Sequence, residues 1–173
     1  MDSASLPTSP QRLFDHIAAL GIACRTVEHP PLFTVEDSKA LRGELPGLHI
    51  KNLFVRDRRE TMFLVVAQED RRVDLKALAE RLGAGKLSFG SAERLMKYLG
   101  VLPGAVTPLA AINDRDGAVR VCLDRTLLAG GPVNCHPLVN TMTTALAADD
   151  LLRFLRATGH EPLMIDIPER PAG

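Results

Sequence analysis

Two runs of branched and aromatic residues, His49 to Arg56 (HIKNLFVR) and Thr61 to Gln68 (TMFLVVAQ), constrain this chain more than any other feature. The charged turn Asp57 to Glu60 separates them, so they predict an antiparallel hairpin at the centre of a sheet. The remaining segments must extend that pair or cover it.

Helical and strand signals surround the hairpin. Ser9 is a cap with Pro10 at the first helical position, and Leu13, Phe14, Ile17, Ala18 and Leu20 recur at helical spacing until Gly21. Ile22 to Glu28 alternates as a strand, and His29-Pro30-Pro31 breaks it. Thr34 caps a short predicted helix, Val35 to Leu41, with Glu36 and Asp37 in its first turn. Further on, the pattern predicts a helix over Asp74 to Leu82, a strand over Lys86 to Phe89, and a helix from the cap Ser91 to Gly100. Leu109 to Asn113 and Val119 to Leu123 read as a second hairpin across Asp114-Arg115-Asp116-Gly117. A helical turn at Asp124 to Leu128, a helix from about Ala148 to Thr158 and a strand at Pro162 to Ile167 complete the chain. Irregular alternation with hairpins favours a mixed sheet wrapped by helices over a doubly wound parallel one. No repeat or linker divides the chain, which reads as one domain over residues 1–173.

Charge and cysteine usage narrow the function. Lys plus Arg and Asp plus Glu both number 21, so no global field draws the chain to nucleic acid or to an acidic membrane. An RNA partner must meet a local basic surface or be delivered by another protein. Cys24, Cys122 and Cys135 lack CxxC spacing, which argues against a disulfide framework and a zinc site. No apolar run approaches the roughly 18 residues of a spanning helix, and MDSASLPTSP has neither the basic flank nor the apolar core of an export signal. The expectation is a cytoplasmic protein.

Polar chemistry concentrates between Gly131 and Thr144, where one imidazole, two carboxamides, three threonine hydroxyls and a thiol surround Pro132 and Pro137. His136 in this stretch suits binding of a substrate amine or carbonyl, acid–base work near neutral pH, or a structural role. In an extended strand Cys135 would face away from it, against a Cys-His nucleophilic pair. His16, His29, His49 and His160 are scattered without metal-ligand spacing. Lys51 fits either a solvated strand face or a cleft, where its ammonium would hold a phosphate or an ester carbonyl with help from Asn52. Gly100 and Gly104 in the loop Val101 to Pro108 serve either as turn residues or to bring bare N–H groups near an oxyanion.

Three segments together resemble the YbaK/ProX aminoacyl-tRNA deacylases, and most of all their prolyl-tRNA editing members that hydrolyse Ala-tRNA(Pro). They are His49-Ile50-Lys51-Asn52-Leu53-Phe54-Val55-Arg56, the loop Gly100 to Pro108 followed by Asn113-Asp114, and Val133-Asn134-Cys135-His136-Pro137-Leu138 with Asn140 and Thr144. The resemblance covers about Leu13 to Ile167, so the domain's core is expected over residues 13–167. It implies a cofactor-free α/β domain with a mixed, mainly antiparallel central sheet flanked by helices. Lys51 and Gly104 would be catalytic. Asn52, Ala105, Val106, Thr107, Pro108, Asn134 and His136 would bind substrate, with no metal. The implied partners are the acceptor end of mischarged tRNA(Pro), met by Arg71, Arg72, Lys86, Arg94 and Lys97, and transiently prolyl-tRNA synthetase. With no evident protein base, the attacking water would be activated by the terminal 2′-hydroxyl of the tRNA. A cysteine at 135 departs from relatives, which often carry an aromatic or other apolar residue there. Alternatives are hydrolysis of Cys-tRNA(Pro) or another small aminoacyl ester, or a non-catalytic tRNA- or synthetase-binding module.

Overall fold

The computed structural model describes residues 6–32, 36, 37, 40 and 45–171. The predicted helix Val35 to Leu41 and its cap Thr34 lie largely outside the described residues. In chain order the elements are α1 (Pro10–Ala19), β1 (Cys24–Glu28), β2 (Leu48–Arg56), β3 (Met62–Gln68), α2 (Leu75–Leu82), β4 (Ser88–Phe89), α3 (Ala92–Leu99), β5 (Val119–Asp124), β6 (Val133–Cys135), β7 (Met142–Leu146), α4 (Ala148–Ala157) and β8 (Leu163–Ile165). Short 3-10 helices occupy Pro108–Asn113 and Arg125–Ala129. Among the described residues no helix is long and apolar enough to cross a membrane.

The predicted hairpin is the middle of the sheet. β2 pairs antiparallel with β3 from Ile50 opposite Gln68 to Arg56 opposite Met62, and the strand order runs β1-β7-β6-β2-β3-β5-β8, with β4 beside β2. Six of the seven β3 residues are buried because both of its faces are covered. Phe63, Val65 and Ala67 meet α2 through Leu78 and Ala79, while Met62, Leu64 and Val66 join the core under α1, α3 and α4. Period-two alternation thus feeds two separate cores.

Side-chain caps start α1, α2 and α3. Ser9, Asp74 and Ser91 accept from the backbone N–H groups of Arg12, Ala77 and Arg94 at 3.2, 3.0 and 3.1 Å. Buried carboxylates fix the connections. Asp124, fully buried, accepts from Gln68 N, Arg71 Nε, Thr126 N and Thr126 Oγ1 and so ties the end of β3 to the end of β5.

The predicted second hairpin does not form. Leu109 to Asn113 lies instead in a 3-10 helix, started by Pro108 and by the Thr107 hydroxyl, which accepts from Leu109 N. Val119–Asp124 runs parallel to both β3 and β8. The apolar run expected to be a hairpin strand is packed into the helical layer, and β5, buried on both faces except at Arg120, is a central parallel strand.

One junction sets up the site. β2 and β6 are parallel and pair at two positions only, Leu48 with Val133 and His49 with Asn134, before they part. Leu48 N donates to Pro132 O at 2.8 Å, and Asn134 Nδ2 donates to Pro46 O and Leu48 O, both at 3.1 Å. Gly47 permits this approach: its φ is +100°, and a Cβ would stand 2.3 Å from Pro132 O. Gly47→Ala is therefore expected to lower stability by more than about 1 kcal/mol in chemical denaturation, since both strain and a backbone clash are introduced. A variant as stable as the parent would contradict this account of the junction.

Candidate active site

Beyond the junction, the parting of β2 and β6 leaves a cavity of about 60 Å³. β2 lends His49, Ile50 and Asn52, and the β6 side lends Asn134, Cys135 and His136. Leu32, Glu69 and Thr143 close it. The crevice therefore lies at the carboxyl end of β6 and along the first half of β2.

Two histidines have their tautomers fixed here. His136 Nδ1 lies 3.0 Å from Met142 O; a carbonyl only accepts, so Nδ1 carries the proton and Nε2 of the neutral ring keeps a lone pair. His29 Nδ1 likewise donates to Pro30 O at 2.8 Å, and its Nε2 then accepts from Thr143 Oγ1 at 2.8 Å. The ring centroids are 6.3 Å apart. Burial holds the His136 pKa below its ordinary 6.5; the Met142 carbonyl opposes this, and the neighbouring His29 adds to it. His136 is thus a neutral hydrogen-bond acceptor at pH 7.

His29 went unrecognised in the sequence, where it looked like part of a strand-ending turn. Its place follows from a long-range pairing: β1 is antiparallel to β7, with Glu28 opposite Met142, and His29 N donates to Thr141 O at 3.0 Å. The polar density of residues 131–144 has a matching structural explanation. Thr144 bonds Thr26 across the strands at 2.8 Å, Thr143 bonds His29, and Asn134 braces the junction. The connecting loop is pinned by Leu138, which is buried in the core at a left-handed φ of +71°, a strained conformation for leucine.

The other predicted site residues are placed differently from one another. Asn52 borders the cavity, and its Oδ1 is buried without a partner among the described residues. Lys51, its neighbour on the strand, is not one of the cavity's walls; its Nζ donates to the carbonyl of Arg71. Strand alternation therefore keeps the two from orienting one group together. Burial lowers the Lys51 pKa, with Arg170 acting in the same direction and Asp70, Glu169 and Glu69 opposing.

Gly104, at φ +90°, is exposed and approaches the His136 loop, since a Cβ there would lie 3.5 Å from Asn140 Nδ2. The rest of that loop turns inward. Ala105, Thr107 and Pro108 are buried and Val106 is half-buried, and none of the four borders the cavity. Cys135 and His136 both border it, because β6 ends at Cys135 and strict alternation ends there too. Burial pushes the Cys135 thiol up to about 12, so it is protonated and inert as a nucleophile at neutral pH. Two of the five basic residues expected to face RNA are engaged within the protein: Arg71 pairs with Asp124 and Glu169, and Arg94 with Glu60. Arg72, Lys86 and Lys97 are exposed.

Known proteins resemble this chain in sequence and in fold. A family model described as the aminoacyl-tRNA editing domain matches residues 29–154, a span that includes every residue bordering the cavity. The prolyl-tRNA editing protein ProX of Acetoanaerobium sticklandii is 36% identical over 151 residues, 87% of this chain and 92% of that protein. The prolyl-tRNA synthetase associated domain-containing protein 1 of Danio rerio is 38% identical over 157 residues, 90% of this chain and 85% of that protein. A crystal structure of a candidate trans-editing enzyme for prolyl-tRNA synthetase has the same fold, with a TM-score of 0.73 at 21% identity over 96% of this chain and 100% of that one.

The paired imidazoles give a sign that NMR can check. His136 is expected to titrate below 6.5, and His29→Gln is expected to raise its midpoint by removing the neighbouring imidazole, which lowers it. A midpoint that stays put or falls in the variant would break the electrostatic link between the rings.

Proposed function

Because this chain belongs to the aminoacyl-tRNA editing domain family, we propose that it is a trans-editing deacylase that hydrolyses Ala-tRNA(Pro) and spares Pro-tRNA(Pro). The observation that carries the reading is that the family match encloses the whole cavity. A synthetase pocket shaped for proline rejects a smaller side chain by only about 1–3 kcal/mol per missing methylene, so a second sieve is needed. The small size of the cavity, about 60 Å³, supports that role. The names of the relatives support the further proposal that the chain works on tRNA(Pro) beside prolyl-tRNA synthetase.

In this mechanism the acyl group enters the parting of the strands. The lone pair on His136 Nε2 accepts from the substrate ammonium, and the unpartnered Asn52 Oδ1 is a second acceptor on the β2 side of the same cavity. Exposed backbone at Gly104 donates to the oxyanion that forms as water adds to the ester carbonyl. The C–O bond to the ribose then breaks, the ribose oxygen takes a proton, and free alanine leaves. Lys51, on the opposite face of β2, holds the RNA's terminal adenosine or its phosphate from outside the cavity. The water's proton passes to the terminal 2′-hydroxyl, which relays its own proton to the departing ribose oxygen.

Deacylation of Ala-, Cys- and Pro-tRNA(Pro) by the purified chain tests the reading. Rapid loss of alanine with proline retained is expected. Preference for cysteine would move the specificity to the alternative small substrate, and no hydrolysis of any of the three would favour a binding module. Lys51→Ala is expected to lose nearly all turnover while staying folded, as is a substrate ending in 2′-deoxyadenosine. Normal turnover in either case removes that group from the mechanism.

A further inference from the structure

At the other end of the sheet from the cavity lies a second hollow. The cavity borders the start of β2, where Ile50 stands opposite Gln68 at the close of β3. The hollow takes Arg115 from the turn that leads into β5, whose first residue, Val119, pairs with Met62 at the opening of β3. It measures about 400 Å³, within the roughly 300–1,000 Å³ of typical ligand pockets, and shares no wall with the cavity. Arg12 and His16, one turn apart on α1, line it together with Thr8, Arg115 and, just past α4, Thr158.

The walls are anchored and their acid is already spent. Thr8 Oγ1 donates to Asn113 Oδ1 at 2.6 Å, which ties the lead-in of α1 to the 3-10 helix. Thr158 Oγ1 donates to Leu155 O at 2.8 Å and lies 2.9 Å from Nδ1 of the buried His160. Asp114, beside Arg115 in the chain, accepts from Ala118 N and Val119 N and meets His160 Nε2 at 2.8 Å. No acidic residue borders the hollow, and Arg12 and Arg115 are exposed without a carboxylate partner among the described residues. His16 packs edge-on against Phe154, and its Nε2 is buried with no hydrogen-bond partner among the described residues. A buried polar atom left unsatisfied points to a group that these residues do not themselves supply.

We infer that this hollow is a second binding site, for the phosphate group of a small phosphorylated molecule. A phosphomonoester carries nearly two negative charges at pH 7, which two guanidiniums match with charge-assisted hydrogen bonds. With its proton on Nε2, His16 is a third donor. The hydroxyl protons of Thr8 and Thr158 are engaged within the protein, so toward a ligand these groups accept, as suits the hydroxyls of a sugar phosphate. An RNA backbone is met instead by a row of cations along an open surface, whereas here two arginines share one concave space. The site stands whether or not the chain is a deacylase.

Ribose 5-phosphate titrated into the full chain at physiological ionic strength tests this. Saturable NMR shifts are expected at the Ala157 methyl and at the backbone amides of His16 and Arg115, and inorganic phosphate is expected to move the same signals more weakly. Arg12→Gln and Arg115→Gln change exposed side chains, and each is expected to weaken binding about tenfold by removing a charge-assisted contact. Arg25→Gln, away from the hollow, is expected to leave it unchanged. If neither phosphate compound moves these signals, or if both arginine variants bind as the parent does, the assignment is overturned. It is equally overturned if a short RNA duplex lacking terminal phosphates shifts them at lower concentration than ribose 5-phosphate, for the arginines then serve a nucleic-acid backbone. The wild-type titrations decide the matter even where a variant fails to fold.

Discussion

The site depends on how briefly β2 and β6 stay together. Two paired positions, closed by the Leu48 amide and the Asn134 carboxamide, hold the strands side by side, and beyond them each strand goes its own way. A longer ladder would fill the crevice with backbone hydrogen bonds. With none, the strands would drift and the cavity would lose its walls. Asn134 does two things at once: its amide hydrogens brace the junction, while the residue itself borders the small cavity. The backbone geometry that Gly47 permits is what lets Pro132 approach closely enough for this to happen.

The chemistry inside follows from which protons are already committed. Both imidazoles spend their Nδ1–H on backbone carbonyls, so each presents an acceptor rather than a donor at Nε2. That arrangement needs no bound ligand to select the tautomer, which is a form of preorganisation. Burial keeps His136 neutral and Cys135 protonated. A lone pair is therefore available for an ammonium, and the one buried sulfur at the site is not a competing nucleophile.

The hairpin, three capped helices and the mixed sheet were legible because each is written in local signals. Ser9 and Ser91 cap where expected, Asp74 caps the helix it was expected to begin, and the two central strands keep nearly their predicted bounds. The segment Leu109–Asn113 misled because a short apolar run is equally good strand or buried 3-10 helix, and only its packing among α3 and α4 decides. His29 was hidden for another reason. It meets Thr143 across 114 positions of sequence, and nothing near residue 29 records that contact. Lys51 and Asn52 show a third limit: their adjacency suggested joint action, and the strand's alternation sends them apart.

β3 spends almost every side chain on one of two cores, so its sequence is held to apolar residues along nearly its full length. The cavity, by contrast, is framed by strand ends and by loops next to the sheet. β3 itself contributes no wall to the cavity. Residues bordering the cavity can change while the interior of β3 stays as it is, so one architecture can present pockets of different size and polarity without being rebuilt.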